Sequence, residues 1–238
     1  MKGIEVSELS YSFGAKKALN DVSFAVEAGQ FCALLGPNGA GKSTLFNLLT
    51  RLFTSPQGTI KIAGHSLNDA PRKALAKLGI VFQQSTLDLD LSVHQNLKYF
   101  AALHGISGRK ANKRIEASLE KLGMLERAGE KARFLNGGHR RRAEIARALI
   151  HDPSVLLLDE PTVGLDAAAR ASITEHVHQL SDDGTAVLWA THLTDEVRDK
   201  DRLILLHQAC ILADGITKEL RGAETLKDKF LDLTGASA

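Results

Sequence analysis

The apolar positions of this chain change their period several times along its length, and each change marks a different kind of element. Residues 4–9 and 21–26 alternate apolar with polar, the period of a strand with one buried face, and 59–62 form another strand behind the turn Pro56-Gln57-Gly58. Phe31 to Leu35 is apolar at every position, and Ile80-Val81-Phe82 is a shorter run of the same kind, which predicts strands covered on both faces. After Gln83 the strand signal fades. Residues 93–104, 109–122 and the stretch up to His151 carry the three- and four-residue spacing of helices, so a helical insertion is expected there. Strand patterns return at 155–158, 186–190 and 202–206 with a helix over 167–180 between them, as a parallel sheet with crossover helices requires.

Composition narrows this little. A chain of 238 residues can bury one large α/β core, with room for an inserted subdomain but hardly for two full domains. Thirty basic against twenty-eight acidic residues leave a formal charge of +2, so no global field favours nucleic acid or an anionic membrane. Cys32 and Cys210 sit in apolar runs without metal-ligand spacing, and read as reduced, buried small residues. The first ten residues lack the basic and apolar blocks of a leader, and no run approaches the ~18 apolar residues of a membrane span, so the chain itself is expected to be soluble. Repeats, low-complexity tracts and long heptad runs are absent from the sequence.

The chemistry begins at Gly36-Pro37-Asn38-Gly39-Ala40-Gly41-Lys42-Ser43-Thr44, between the apolar strand ending at Leu35 and the amphipathic run 45–52. A strand, glycine loop and helix in this order make a phosphate cradle. Consecutive backbone N–H groups must turn inward around phosphate oxygens, and a Cβ at Gly39 or Gly41 is expected to obstruct that turn. Lys42 adds a point charge for the β- and γ-phosphates, Ser43 offers a hydroxyl to Mg²⁺, and the helix N-terminus adds its partial positive charge. Downstream, Val155-Leu156-Leu157-Leu158-Asp159-Glu160 is an apolar strand ending in two carboxylates, at the sheet edge where ligands of open α/β folds collect. Asp159 is expected to hold Mg²⁺ directly or through water, and Glu160 to polarise an attacking water.

These motifs, together with those that follow them in order, resemble the nucleotide-binding subunit of an ATP-binding cassette (ABC) transporter over nearly the whole chain. The resemblance implies a P-loop NTPase core with a mainly parallel sheet, an N-terminal antiparallel β-subdomain and an inserted helical subdomain. The chain then divides into a core of 1–83 and 136–220, a helical subdomain of 84–135 and a C-terminal helix in 221–238. Gln83, in Val81-Phe82-Gln83-Gln84, matches the glutamine that touches Mg²⁺ and relays permease movement; Gln84 is the alternative, and Gln83 is preferred because it directly follows the strand. Leu135-Asn136-Gly137-Gly138-His139 occupies the place of the signature loop, with Asn136 where most relatives have Ser and His139 where they commonly have Gln. In the family this loop faces the γ-phosphate bound by the other subunit. Asn136 can still donate through its amide and cap a helix.

Gly164-Leu165-Asp166 resembles the D-loop, placing Asp166 at the subunit boundary, and His192 resembles the switch histidine that contacts the γ-phosphate and the water. Tyr11 matches the aromatic that stacks on adenine, against the alternative of a tyrosine packed at a strand end. Arg140-Arg141-Arg142 reads as a solvated first helical turn rather than a nucleic-acid patch, since no aromatic interleaving accompanies it.

The resemblance implies an ATP hydrolase that works as a head-to-tail homodimer with ATP and Mg²⁺ between its subunits. It is placed on the cytoplasmic face of the inner membrane, beside a separate permease that docks around Gln83, Asp88, Leu89, Asp90, Tyr99 and Phe100. The alternative for the apolar residues of that set is the subdomain core. A periplasmic binding protein is a further partner the resemblance allows, and nucleic acid is not expected. The opposing class, a soluble ABC ATPase of translation or DNA repair, usually carries two cassettes or a coiled-coil insertion. Within the family, the tail 226–235 resembles drug-resistance, sodium-efflux and haem-export cassettes. The Asn-Gly-Gly-His signature is similar to that of cassettes associated with pyrroloquinoline quinone-dependent alcohol oxidation. Cargo and direction are not encoded in these residues.

Overall fold

The computed structural model describes residues 2–235. Two sheets organise it. Strands β1 (Lys2–Phe13), β2 (Lys16–Glu27), β4 (Gln57–Ile62) and β5 (His65–Ser66) form an antiparallel sheet in the order β2-β1-β4-β5. The second sheet, of six strands, runs β10-β9-β3-β8-β7-β6. Its members are β3 (Phe31–Leu35), β6 (Leu78–Val81), β7 (Val155–Asp159), β8 (Ala186–Thr191), β9 (Arg202–His207) and β10 (Cys210–Ile216), parallel except for the β9–β10 hairpin.

The uniformly apolar strands are explained by where their two faces go. Phe31, Ala33 and Leu35 of β3 join one core with Leu156, Leu158, Val187, Trp189, Leu203 and Leu205. The alternate residues Cys32 and Leu34 join the other, with Val155, Leu157, Ala186, Leu188 and Ile204. A period of two still operates, but both phases are buried. The first core continues into the helical segment through Val93, Leu97, Ile115 and Leu119, and the second reaches the antiparallel sheet through Ile4, Val6, Val22 and Ile62.

The helical segment holds α3 (Val93–Leu103) and α4 (Gly108–Lys121), with short 3₁₀ turns at Leu125–Arg127 and Ala132–Phe134. Helix α3 starts at a capping box, in which Ser92 Oγ accepts from the Gln95 N–H at 3.1 Å while Gln95 Oε1 accepts from the Ser92 N–H at 2.8 Å. Helix α5 (Gly137–Leu149) leads back to β7, and α6 (Ala167–Asp182) crosses from β7 to β8. The tail helix α8 (Leu226–Thr234) is capped by Thr225 and ends at Gly235 in the left-handed region, with Leu226 and Phe230 packed on the first core. Residues 236–238, part of the expected tail, lie outside the described residues.

Some elements escaped the pattern. The two N-terminal strands run well beyond 4–9 and 21–26, because bulges with register shifts, such as those on either side of Leu9, break the alternation without ending the ladder. Edge strand β10 carries Asp214 and Gly215, a weak strand signal, and is fixed instead by pairing with β9 and by the Arg202–Asp214 fork at 2.7 Å. Helices α2 (Pro71–Leu75) and α7 (Thr217–Arg221) are too short to show a period. Both cysteines are free, and burial pushes the Cys32 thiol well up, which leaves it unreactive.

Candidate functional site

Strand register brings the site together. Leu35 of β3 pairs with Thr191 of β8, Asp159 of β7 with Ala190 of β8, and Val81 of β6 with Leu158 of β7. The residues that follow these ends, Gly36, His192, Glu160 and Gln83, therefore leave the sheet along one carboxyl edge. They line or adjoin a cleft of about 300 Å³ bounded by Pro37, Asn38, Gly39, Gly41, Lys42, Ser43 and Thr44.

The glycines of the loop serve it in different ways. Gly39 and Gly41 have φ of 82° and 116°, a region that L side chains avoid. At Gly41 space is short as well, since a Cβ would lie 2.5 Å from the Ala18 carbonyl oxygen. At Gly39 nothing lies within 4 Å, so the expected obstruction there is corrected to a conformational demand. Gly36 has an ordinary φ, but a Cβ would run into the Leu206 carbonyl oxygen. Ala40 packs into the second core and its carbonyl accepts from the Ala209 N–H at 3.2 Å, which anchors the loop on the β9–β10 turn. Helix α1 (Lys42–Leu49) then points its N-terminus into the cleft.

Lys42 is only 5% exposed. Its Nζ donates to the carbonyls of Gly36 at 2.6 Å and Pro37 at 3.3 Å, and lies 3.5 Å from Glu160 Oε1. Burial holds this ammonium below the usual lysine value, with Glu160 and Asp159 pulling the other way. Glu160 is a meeting point. His192 Nδ1 lies 3.3 Å from its Oε1, and Gln83 Nε2 donates to its Oε2 at 3.3 Å. The residue sits at φ 44°, in the left-handed region, pinned by its own N–H to the Ala190 carbonyl at 2.9 Å. Burial, then the adjacent Glu160, pushes the Asp159 carboxyl above the ordinary range, against Lys42 and Arg141.

These groups fit a magnesium–triphosphate complex. A buried ammonium, inward-turned backbone and two crowded carboxylates together ask for an anion and a divalent cation. Among the described residues no cluster of three or more His, Cys, Asp or Glu gathers, so a cation held by Ser43, Asp159 and Gln83 would take its other ligands from phosphate and water.

The aromatic edge of the cleft corrects one expectation. Phe13, half exposed at 50%, lines the cleft; Tyr11 does not. The Tyr11 ring is stacked on Phe53, with centroids 5.6 Å apart and planes 8° apart, and meets Phe13 edge-on at 5.1 Å. Residue 13 ends β1 beside the Gly14 turn, whereas residue 11 is still inside the ladder, paired with Leu19. Gln83 rather than Gln84 lines the cleft.

The signature loop builds a second cleft, from Asn136, Gly137, Gly138, His139, Arg142, Gly164, Leu165 and Asp166 among others, that shares no lining residue with the first. Helix α5 begins at Gly137, earlier than the expected Arg140, with Asn136 as its cap: Asn136 Oδ1 accepts from the His139 N–H at 2.8 Å. Asp166 caps α6 in the same way, accepting from the Ala169 N–H at 2.8 Å. A Cβ at Gly137 would come 2.9 Å from Leu165 Cδ2, and one at Gly138 3.0 Å from Ala169 Cβ. Two helix N-termini thus open side by side toward this cleft, close-packed because the glycines allow it.

Three features of the packing around the site were not legible beforehand. Arg141 is buried, at 9% exposure, and not part of a solvated turn; it pairs with Glu144 and donates to the carbonyls of Phe82 and Gln83. Glu196 is a buried carboxylate that accepts from Trp189 Nε1 at 3.0 Å, Thr191 Oγ1 at 2.6 Å and Thr162 Oγ1. It ties the segment before Asp166 to the strand end before His192. Arg147 lies over the half-buried Phe100 ring, 4.9 Å from its centroid. Tyr99, at 65% exposure, and Leu89 remain outside the subdomain core.

A protein-family model described as "ABC transporter" matches residues 19–163. The linearmycin resistance ATP-binding protein LnrL of Bacillus subtilis is 35% identical over 218 residues, covering 91% of this chain and 70% of that protein. The Nod factor export ATP-binding protein I of Rhizobium johnstonii is 39% identical over 213 residues, covering 89% and 68%. A solved ATP-binding cassette, dimeric in a post-hydrolysis state bound to ADP and Pi, superposes with a TM-score of 0.78 at 28% identity, covering 90% of this chain and 98% of that one.

Proposed function

The chain belongs to the ABC transporter family of ATP-binding proteins, and from that premise we propose that it hydrolyses ATP as a head-to-tail dimer and so drives a separate membrane permease. The observation that carries this reading is the convergence of Lys42, Gln83 and His192 on the Glu160 carboxylate, while the signature loop opens on a cleft of its own.

Phosphoryl transfer to water asks the protein mainly for position and charge. The loop 36–44 cradles the phosphates, with Lys42 exchanging its carbonyl and Glu160 partners for phosphate oxygens. That exchange frees Glu160 to accept a proton from water, and His192, on the same carboxylate, orients the water and the γ-phosphate. Ser43, Asp159 and Gln83 would hold Mg²⁺, which supplies charge neutralisation on the phosphate oxygens. Phe13 offers its ring to the base, with Tyr11 supporting it from behind. Asn136, Gly137 and Gly138 of one subunit complete the phosphate site of the other, and Asp166 lies at that boundary.

Asp88, Leu89, Asp90 and Tyr99 form the surface for a permease helix. The relatives' association with resistance and export supports transport rather than translation or DNA repair, with export as the direction. The comparisons lend no support to a periplasmic binding protein. No helix among the described residues is long and apolar enough to cross a membrane; the position proposed is peripheral, on the cytoplasmic face beside the permease.

The test is the ATPase rate per chain against protein concentration, for the native protein and for Gly137→Asp. Under this reading the rate rises with concentration and collapses in the variant. A rate indifferent to both would reject the shared site. Copurification with a polytopic membrane protein checks the transport role, and capture of ribosomes or DNA instead would reject it.

A further inference from the structure

The buried charges on helix α5 have no evident place in either cleft, yet they grip the segment that carries Gln83. Arg141 Nη1 donates to the Phe82 carbonyl at 2.7 Å and Nη2 to the Gln83 carbonyl at 2.8 Å, a fork over two consecutive peptides. Glu144 holds that guanidinium at 2.7 Å through Oε2, and its Oε1 accepts from the Thr86 N–H at 3.0 Å. One turn on, Arg147 donates to Thr86 Oγ1 at 2.5 Å and to the Thr86 carbonyl at 3.3 Å.

Three charged side chains, on successive turns of one helix, therefore fix residues 82–86. All are buried, Glu144 to 2% exposure and Arg147 to 8%. A buried ion pair is often no more stabilising than apolar residues of the same volume, so stability alone is a weak reason for this arrangement. Geometry gives a better one. The peptide that Arg141 holds belongs to Gln83, whose side-chain amide reaches Glu160 at 3.3 Å. The same helix begins at Asn136, so the fork sits about one turn from the loop that opens the second cleft.

We propose that Arg141, braced by Glu144, is a positioning residue that sets the Gln83 amide against Glu160, and that α5 acts as a lever between the two clefts of one chain. The lever rests on the shared-site reading above. A signature loop pressed onto the partner's ATP moves the first turn of α5, and Arg141 carries that shift to Gln83 at the chain's own ATP. Helix and loop move together because two charge-assisted bonds and the Thr86 contacts leave the segment little freedom.

The experiment is a double-mutant cycle on steady-state ATP hydrolysis with Arg141→Gln, Gln83→Ala and the pair. Arg141→Gln should lower kcat about 10- to 100-fold, the scale of a misplaced positioning group, with KM for ATP within about twofold. Arg141→Lys should recover part of the loss. In the Gln83→Ala background, Arg141→Gln should cost less than about twofold more, because its target is already gone. A merely structural arginine would give effects that multiply, and that result, or an unchanged kcat in Arg141→Gln, overturns the lever. Should Arg141→Gln lose its cooperative melting transition, Glu144→Gln takes its place in the cycle, since the amide still accepts from Thr86 but no longer braces the guanidinium; multiplying effects in that cycle overturn the lever equally. A native chain without ATPase activity overturns the hydrolytic reading itself, which separates the two failures.

Discussion

The two clefts of this chain both set glycines at a helix N-terminus, and differ in the charged groups placed beside it. The phosphate-loop cleft gathers an ammonium, a carboxylate pair, an amide and an imidazole at the carboxyl ends of β3, β6, β7 and β8, so one chain supplies all the acid–base chemistry. The signature cleft has capped helix N-termini and close-packed glycines, with Asp166 engaged as a cap. Its two helix N-termini suit an anion. The two clefts share no lining residue, so the proposed site, which draws on both, calls for two chains.

Substitutions that move one half and spare the other sharpen this contrast. The largest effect is expected from Glu160→Gln, which keeps the shape of the first cleft but removes the carboxylate proposed to polarise water: hydrolysis should fall about 10²- to 10⁴-fold while nucleotide binding persists, and unchanged turnover would remove Glu160 from the chemistry. Lys42→Ala should weaken ATP binding about 10- to 100-fold in calorimetry, the loss of a charge-assisted contact, without changing the second cleft. Normal affinity would break the assignment of the first cleft to the triphosphate.

The second cleft is probed by Asn136→Asp, which keeps an oxygen to cap His139 and so preserves α5, but sets a carboxylate where the partner's phosphate would approach. ATP-driven dimerisation of the Glu160→Gln background should weaken about tenfold in sedimentation, with monomer ATP binding unchanged. Identical association would separate Asn136 from the shared site. The smallest effect concerns the base: Phe13→Ala should cost about fivefold in ATP affinity, one lost stacking contact, and Tyr11→Ala about twofold or less. The reverse order would restore Tyr11 as the stacking residue.

What could be read beforehand was whatever fits inside a short window. The loop 36–44 is such a case, because the demand for positive φ at Gly39 and Gly41 and the charge of Lys42 lie within nine successive residues. Asp159 and Glu160 were legible for a related reason, since a strand buried on both faces announces its end when polar residues resume. Arg141 was misread because its burial depends on Glu144 and on carbonyls 58 and 59 residues away, and nothing in Arg140-Arg141-Arg142 says which arginine turns inward. Tyr11 and Phe13 share one strand, and the choice between them follows from where the ladder ends, with Phe53, distant in sequence, stacked on Tyr11 and edge-on to Phe13.

Sequence by itself determined the kinds of element and the chemistry each end carries, because backbone period and loop conformation are local properties. Tertiary structure alone decided that Gln83, 77 residues from Glu160, meets it, and that β3 and β8 end level so that His192 joins them. Register and side-chain packing are set by contacts summed over the whole core, and no short stretch of this chain contains that sum.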